Sequence, residues 1–225
     1  MKGLLFDFGG TIDSDGVHWS EKFWDYYGKF NVPVQKPDFE RAFVATEREL
    51  GEVPVLKQAT FYETLHKQLR LQFKFLKLDP KGPQLQAMLD ECYQDVDRTV
   101  LKAKELIEKL SEHYRLGIVS NFYGNLEIVC REFDLYRYFT AYVDSVVVGL
   151  RKPDPAIWEL GLKKLEVRPE NGWTIGDSYE RDVVPGKALG CTTIWLKGKT
   201  WNSPASTGAA DYTIRKFEEI RSILL

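Results

Sequence analysis

The sequence is short of several things, and each shortage removes a class of protein. Cysteine occurs three times, at Cys92, Cys130 and Cys191, an odd and widely spaced set. That implies no disulfide framework and lacks metal-ligand spacing; buried, reduced thiols are expected. No apolar run approaches membrane-spanning length, so no membrane partner is expected. The N-terminus offers one lysine and a few apolar residues before Asp7, too few for the apolar region of a signal peptide, and a cytoplasmic location is expected. Basic excess is also missing: 31 Lys and Arg face 33 Asp and Glu, a net charge of -2. Nucleic acid is therefore not an expected partner, because nothing would offset its phosphate backbone. Repeats, low-complexity tracts and long charge runs are absent as well. What remains is 225 residues of ordinary globular composition, 44% hydrophobic, enough for one large or two modest domains. Nothing in the pattern sets an oligomeric state.

The chain is organised around its start. Gly3 to Phe6 is a short apolar run that stops at Asp7, and Gly9, Gly10 and Thr11 follow where the chain must turn. This reads as a buried strand delivering a carboxylate to its carboxyl edge, the place where open α/β sheets bind ligands. Gly10 leaves the backbone free to approach such a ligand.

Helices are expected at Val17 to Phe30, Asp38 to Leu50, Gln58 to Leu76 and Pro83 to Asp97, separated by the breakers Pro33, Pro37, Gly51, Pro54, Pro80, Gly82 and Pro83. Ser14 or Asp15 is the expected cap of the first. Phe61, Leu65, Leu69 and Phe73 recur at helical spacing, as a packed face requires. After Asp97 the pattern becomes an alternation of helix and strand. It starts with a helix from Val100 to Glu112, with strands at Arg115 to Val119, Tyr142 to Val148, Gly172 to Gly176, Thr192 to Leu196 and Tyr212 to Ile214. The fold class predicted is α/β: a doubly wound, Rossmann-like parallel sheet with an inserted helical cap domain. The core would comprise residues 1–14 and 98–225, and the cap residues 15–97.

Four features then fall at loops that follow strands: Asp7 with Thr11; Ser120 with Asn121; Lys152 in Lys152-Pro153-Asp154-Pro155; and Gly176-Asp177 followed by Asp182. In this order the chain resembles the haloacid dehalogenase superfamily, most of whose members are phosphatases. The resemblance spans nearly the whole chain, with the helical insert in the position of the family's mobile cap. Asp-x-Gly-Gly-Thr alone is a weak signal; Lys-Pro-Asp-Pro followed by Gly-Asp-Ser-x-x-x-Asp is a strong one.

The resemblance implies a hydrolase of a small phosphorylated metabolite. Asp7 is then the nucleophile that forms an aspartyl-phosphate. Carboxylates at Asp7 and Asp177 on adjacent strand ends would repel without a cation between them, which points to Mg²⁺, with the Gly9 carbonyl as a further ligand. Lys152 would offset the charge of Asp7 and of the transferring phosphoryl group, to which Thr11, Ser120 and Asn121 would donate. Asp182 would orient Lys152 or a water from behind. Asp154 reads as a helix cap.

One position departs from the family's pattern. Its phosphatases usually carry an acid two residues after the nucleophile, which protonates the leaving oxygen; here Gly9 stands there. Such a group is typically worth ~10² to 10⁴ in rate. Asp13, Asp15 and His18 lie just downstream, and Asp13 is the first candidate to replace it. The competing expectation is a binding or regulatory protein that keeps the scaffold without useful turnover. Tyr123 and Tyr179 are placed either at the entrance of the site or in solvent.

Overall fold

A computed structural model describes residues 2–52, 56–201 and 208–225. Pro54, one of the expected breakers, lies outside the described residues. Strand β1, Gly3–Phe6, leads through a tight loop at Phe8–Ile12 into four helices: α1 Trp19–Lys29, α2 Lys36–Glu52, α3 Phe61–Phe75 and α4 Pro83–Ser111. There follow β2 Arg115–Ser120, α5 Leu126–Glu132, β3 Ala141–Asp144, the short α6 Ser145–Val148, α7 Pro155–Leu165, β4 Gly172–Gly176, α8 Val184–Ala188, β5 Thr192–Leu196, β6 Tyr212–Ile214 and α9 Arg221–Leu224.

The strands form one parallel sheet in the order β3-β2-β1-β4-β5-β6. Both faces are covered, which explains why the strands read as continuous apolar runs. Leu4 and Phe6 share a core with Ile107 and Leu110 of α4, whereas Leu5 packs with Ile157, Trp158 and Leu162 of α7. Phe6 is level with Ile118 of β2 and Ile175 of β4, so three carboxyl ends finish side by side. The direction of chain progression reverses between β1 and β4, and a crevice opens at that switch point. Phe61, Leu65, Leu69 and Phe73 are all buried, as their spacing required.

Three expectations are corrected. The helices expected at Pro83 to Asp97 and Val100 to Glu112 are one continuous helix of 29 residues, so the chain does not break at Asp97. No Gly or Pro follows Pro83 within it, and its buried face runs unbroken from Leu85 to Leu110. The β-branched run after Tyr142 leaves the sheet at Asp144, which caps α6 by accepting from Val146 N (3.0 Å) and also accepts from Gly124 N and Leu126 N behind β2. Tertiary hydrogen bonds thus override strand propensity there. The cap of α1 is His18, whose Nδ1 accepts from Ser20 N, whereas Ser14 donates to Val17 O and Asp15 accepts from Phe217 N. Asp154 caps α7 through Ala156 N, as read. The three cysteines are buried and free.

Candidate active site

The loop after β1 cannot be built with an ordinary residue at Gly10. Its φ is +88°, and a Cβ there would fall 2.5 Å from the Asp177 carboxyl. The close approach lets Asp7 and Asp177, from neighbouring strands, share one space. Thr11 fastens the two loops together: its hydroxyl accepts from Asp177 N (3.1 Å) and lies 3.5 Å from Asp177 Oδ1.

Asp7 Oδ1 accepts from three donors, each at 2.8 Å: its neighbour Phe8 N, the Ser120 hydroxyl from β2 and Lys152 Nζ. Asp7 Oδ2 receives no donor among the described residues. Lys152 Nζ bridges onward to Asp182 Oδ1, also at 2.8 Å, while Asp182 Oδ2 accepts from Ser178 N. The lysine is buried over the face of Trp158, 4.6 Å from the ring centroid. Asn121 does not point its amide into open space; it clasps the main chain of Lys152, accepting from its N–H at 2.8 Å and donating to its carbonyl at 3.1 Å. Asn121 and Thr11 therefore act here on the loops, and Ser120 on Asp7.

Asp7, Lys152 and Asp182 are all buried, so their charges are set directly against one another. Burial alone would lower the Lys152 ammonium, but Asp182 and Asp7 outweigh it and hold the lysine above its ordinary range. Burial first, then the Asp7 and Asp182 charges, push Asp177 well above the carboxylate range. Asp182 is raised to about 6 by burial, with Lys152 opposing. Carboxylate oxygens of Asp7, Asp177 and Asp182 lie within 4.8 Å of one another. The single lysine is engaged by Asp7 and Asp182, and the contact Asp177 receives from Thr11 is long. Asp7 and Asp177 are thus hard oxygen donors still short of positive charge, a chemistry that fits a divalent cation.

The crevice is a cavity of about 460 Å³ that includes Asp7, Gly9, Asp13, His18, Lys152 and Asp177 in its lining. Asp15 is not in it. Asp13 is fully buried; its two oxygens accept from Gly10 N and Trp19 Nε1, each at 2.8 Å. Burial raises its carboxyl to about 7 against those hydrogen bonds. Trp19 in turn stands over Gly9: a Cβ there would lie 3.7 Å from the indole Cδ1. His18 is lowered to about 4, first by burial and then by Arg181. Tyr179 is buried and Tyr123 half-buried in the cavity wall. Several wall residues escaped the sequence reading, four of them Glu47, Gln68, Arg151 and Arg181. Glu47 and Gln68 sit mid-helix with no local signal, while Arg151 and Arg181 each immediately precede a motif residue, Lys152 and Asp182, and could have been found from that adjacency.

A parallel α/β scaffold with a carboxylate, lysine and carboxylate cluster at its switch point defines the class. The particular family follows from comparison: the chain belongs to the haloacid dehalogenase-like hydrolase family, whose sequence profile matches residues 1–190. It is 35% identical over 91 residues to the bovine (Bos taurus) haloacid dehalogenase-like hydrolase domain-containing protein 3, covering 40% of this chain and 36% of that protein. With the glyceraldehyde 3-phosphate phosphatase of Methanocaldococcus jannaschii it shares 31% identity over 124 residues, 54% of each chain. The matches span between 36% and 54% of the length of these curated relatives. Among solved structures, a HAD phosphatase from Thermococcus onnurineus has the same fold at TM-score 0.56 and 23% identity, covering 100% of this chain and 98% of that one. A dehalogenase solved with an intermediate complex reaches TM-score 0.66 at 20% identity, covering 100% and 97%. Among the described residues no helix is long and apolar enough to cross a membrane.

Proposed function

We propose that the protein is a Mg²⁺-dependent phosphatase of a small phosphomonoester, with α1 to α3 and the first half of α4 serving as a cap over the sheet edge. The observation that carries this reading is the convergence of Asp7, Lys152, Asp177 and Asp182 at one strand edge, with Asp7 Oδ2 free of donors. Asp7 and Asp177, with the Gly9 carbonyl, would hold the magnesium ion, which when bound supplies charge neutralisation for the phosphoryl group.

The steps fall to the chain's own residues. Ser120, Phe8 N and Lys152 fix Oδ1 of Asp7 and so aim Oδ2 at phosphorus. Attack forms the Asp7–phosphorus bond as the ester P–O bond breaks, and the leaving oxygen takes up a proton. Water then displaces Asp7, releasing phosphate. Lys152 balances the charge of Asp7 throughout, held by Asp182 and by the Asn121 clasp. Asp13 is the carboxyl in the cavity wall placed to stand in for the acid that Gly9 lacks, and its raised pKa keeps a protonated fraction near neutrality. Asp15, tied to Phe217 N, has no part in it.

The test is phosphate release from a panel of small phosphomonoesters with and without Mg²⁺, with Asp7→Asn as the blank. Release that requires both the metal and Asp7 is expected. Trp19 standing over Gly9 favours a second reading, a binding protein of this scaffold without turnover; no release above the blank, with ligand affinity intact in Asp7→Asn, would decide for it.

A further inference from the structure

Two arginines in the cavity wall have guanidiniums with no hydrogen bond or ion pair among the described residues. Arg151 and Arg181 are separated by 30 positions in sequence, yet each directly precedes one half of the Lys152–Asp182 ion pair, closed at 2.8 Å. That buried bond brings their main chains together at the cavity. Each is pinned again: Asn121 clasps Lys152 beside Arg151, and the Trp158 indole donates to the Arg181 carbonyl at 3.0 Å. The Arg151 guanidinium reaches from the core loop to α2, where its Nη1 lies 3.5 Å from the place a Cβ on Gly51 would occupy. Among the described residues neither guanidinium has a hydrogen bond or ion pair, though both side chains are otherwise exposed.

Two acids line the same wall, Glu47 and the exposed Glu180, and Glu47 is already occupied. Glu47 accepts from Tyr123 OH on both oxygens, at 2.9 Å each, and from Gln68 Nε2 at 2.9 Å. Neither guanidinium is paired with Glu47 or Glu180 among the described residues, so both stay available to an anion in the cavity. Guanidinium forks match carboxylate and phosphate oxygens in geometry as well as charge.

We infer that Arg151 and Arg181 form a second anion subsite, and that the preferred substrate is a phosphomonoester bearing a further anionic group, a carboxylate or a second phosphate, on its leaving group. This deepens the phosphatase reading and rests on it for the word substrate; the binding prediction does not depend on turnover.

The test is calorimetric titration, in Mg²⁺, of the full chain with ω-phosphonocarboxylates of increasing chain length, each against the alkylphosphonate of equal length, with bisphosphonates of the same spacings as the second arm. One chain length is expected to bind about tenfold or more tightly than its neutral partner, with the advantage shrinking at high salt. The advantage should fall in Arg151→Gln and in Arg181→Gln and vanish in the double variant, with the thermal transition and alkylphosphonate binding unchanged. The better-bound series identifies the anion. Equal binding of charged and neutral partners at every length, or an advantage that survives the double variant, overturns the subsite. If the advantage appears as described but 3-phosphoglycerate, glycerol 3-phosphate and the rest of the phosphomonoester panel are not hydrolysed, the subsite stands and the phosphatase reading falls.

Discussion

Asp13 offers the sharpest physical test, because its carboxyl is buried with no ion pair among the described residues, Lys22 acting on it only from a distance, and its bonds from Gly10 N and Trp19 Nε1 come from neutral donors. Its pKa rises from the ordinary 3.8 to about 7 on folding. Below the lower value the carboxyl is neutral in both states and folding carries no protonation cost. Between the two values the folded chain binds a proton that the unfolded chain does not, so stability falls as pH rises; above the upper value the loss is complete. The full difference is about 4 kcal/mol, of which about 2 kcal/mol accrues between pH 5 and pH 7. Asp13→Asn keeps the shape and removes the titration. Asn resembles the neutral acid in presenting one acceptor and one donor, so the two proteins should be closest in stability at low pH. Urea unfolding followed by tryptophan fluorescence, in EDTA, would give both stabilities across this range; every other titrating group is common to both, so the difference curve isolates Asp13. The variant should gain on the native chain by about 2 kcal/mol from pH 5 to pH 7. Parallel curves, differing by a constant, would refute the reasoning and mean that Asp13 ionises freely in its pocket.

Other outcomes follow from the same geometry. Lys152→Met leaves Asp7 and Asp182 without their shared cation and should cost about 3–5 kcal/mol in urea unfolding at neutral pH; a loss under about 1 kcal/mol would mean that water enters the cluster. Gly10→Ala places a Cβ 2.5 Å from the Asp177 carboxyl at positive φ, so the Asp7 and Asp177 pair should lose its close approach and the rise in melting temperature on adding Mg²⁺ should shrink or disappear. In the native chain that rise reports metal binding, and a metal at a hundred times its Kd would add about 2.7 kcal/mol of stability; the effect should be absent in Asp177→Asn. Gly9→Asp introduces a Cβ that fits, at 3.7 Å from Trp19, and should raise the rate of phosphate release on esters with poor leaving groups; an unchanged rate would indicate that Asp13 already supplies the proton.

The sheet and the main groups of the centre were legible from sequence because each is a local signal: an apolar run ending at Asp7, another ending at Asp177, a lysine three residues before a helix-starting proline, and Asp182 at fixed spacing. Strand ends in a parallel sheet lie on one edge, so residues read separately along the chain had to meet. Only the tertiary structure could decide what each group touches. It turned the Asn121 amide onto the Lys152 main chain, sent Asp15 to Phe217, laid Trp19 over Gly9 and joined two expected helices into one. It also assembled Glu47, Gln68, Tyr123, Arg151 and Arg181 into one wall from two helices and three loops. Local pattern fixes which atoms an element exposes at its end; burial, electrostatic balance and the substrate's outer contacts arise only when elements distant in sequence close around the same space.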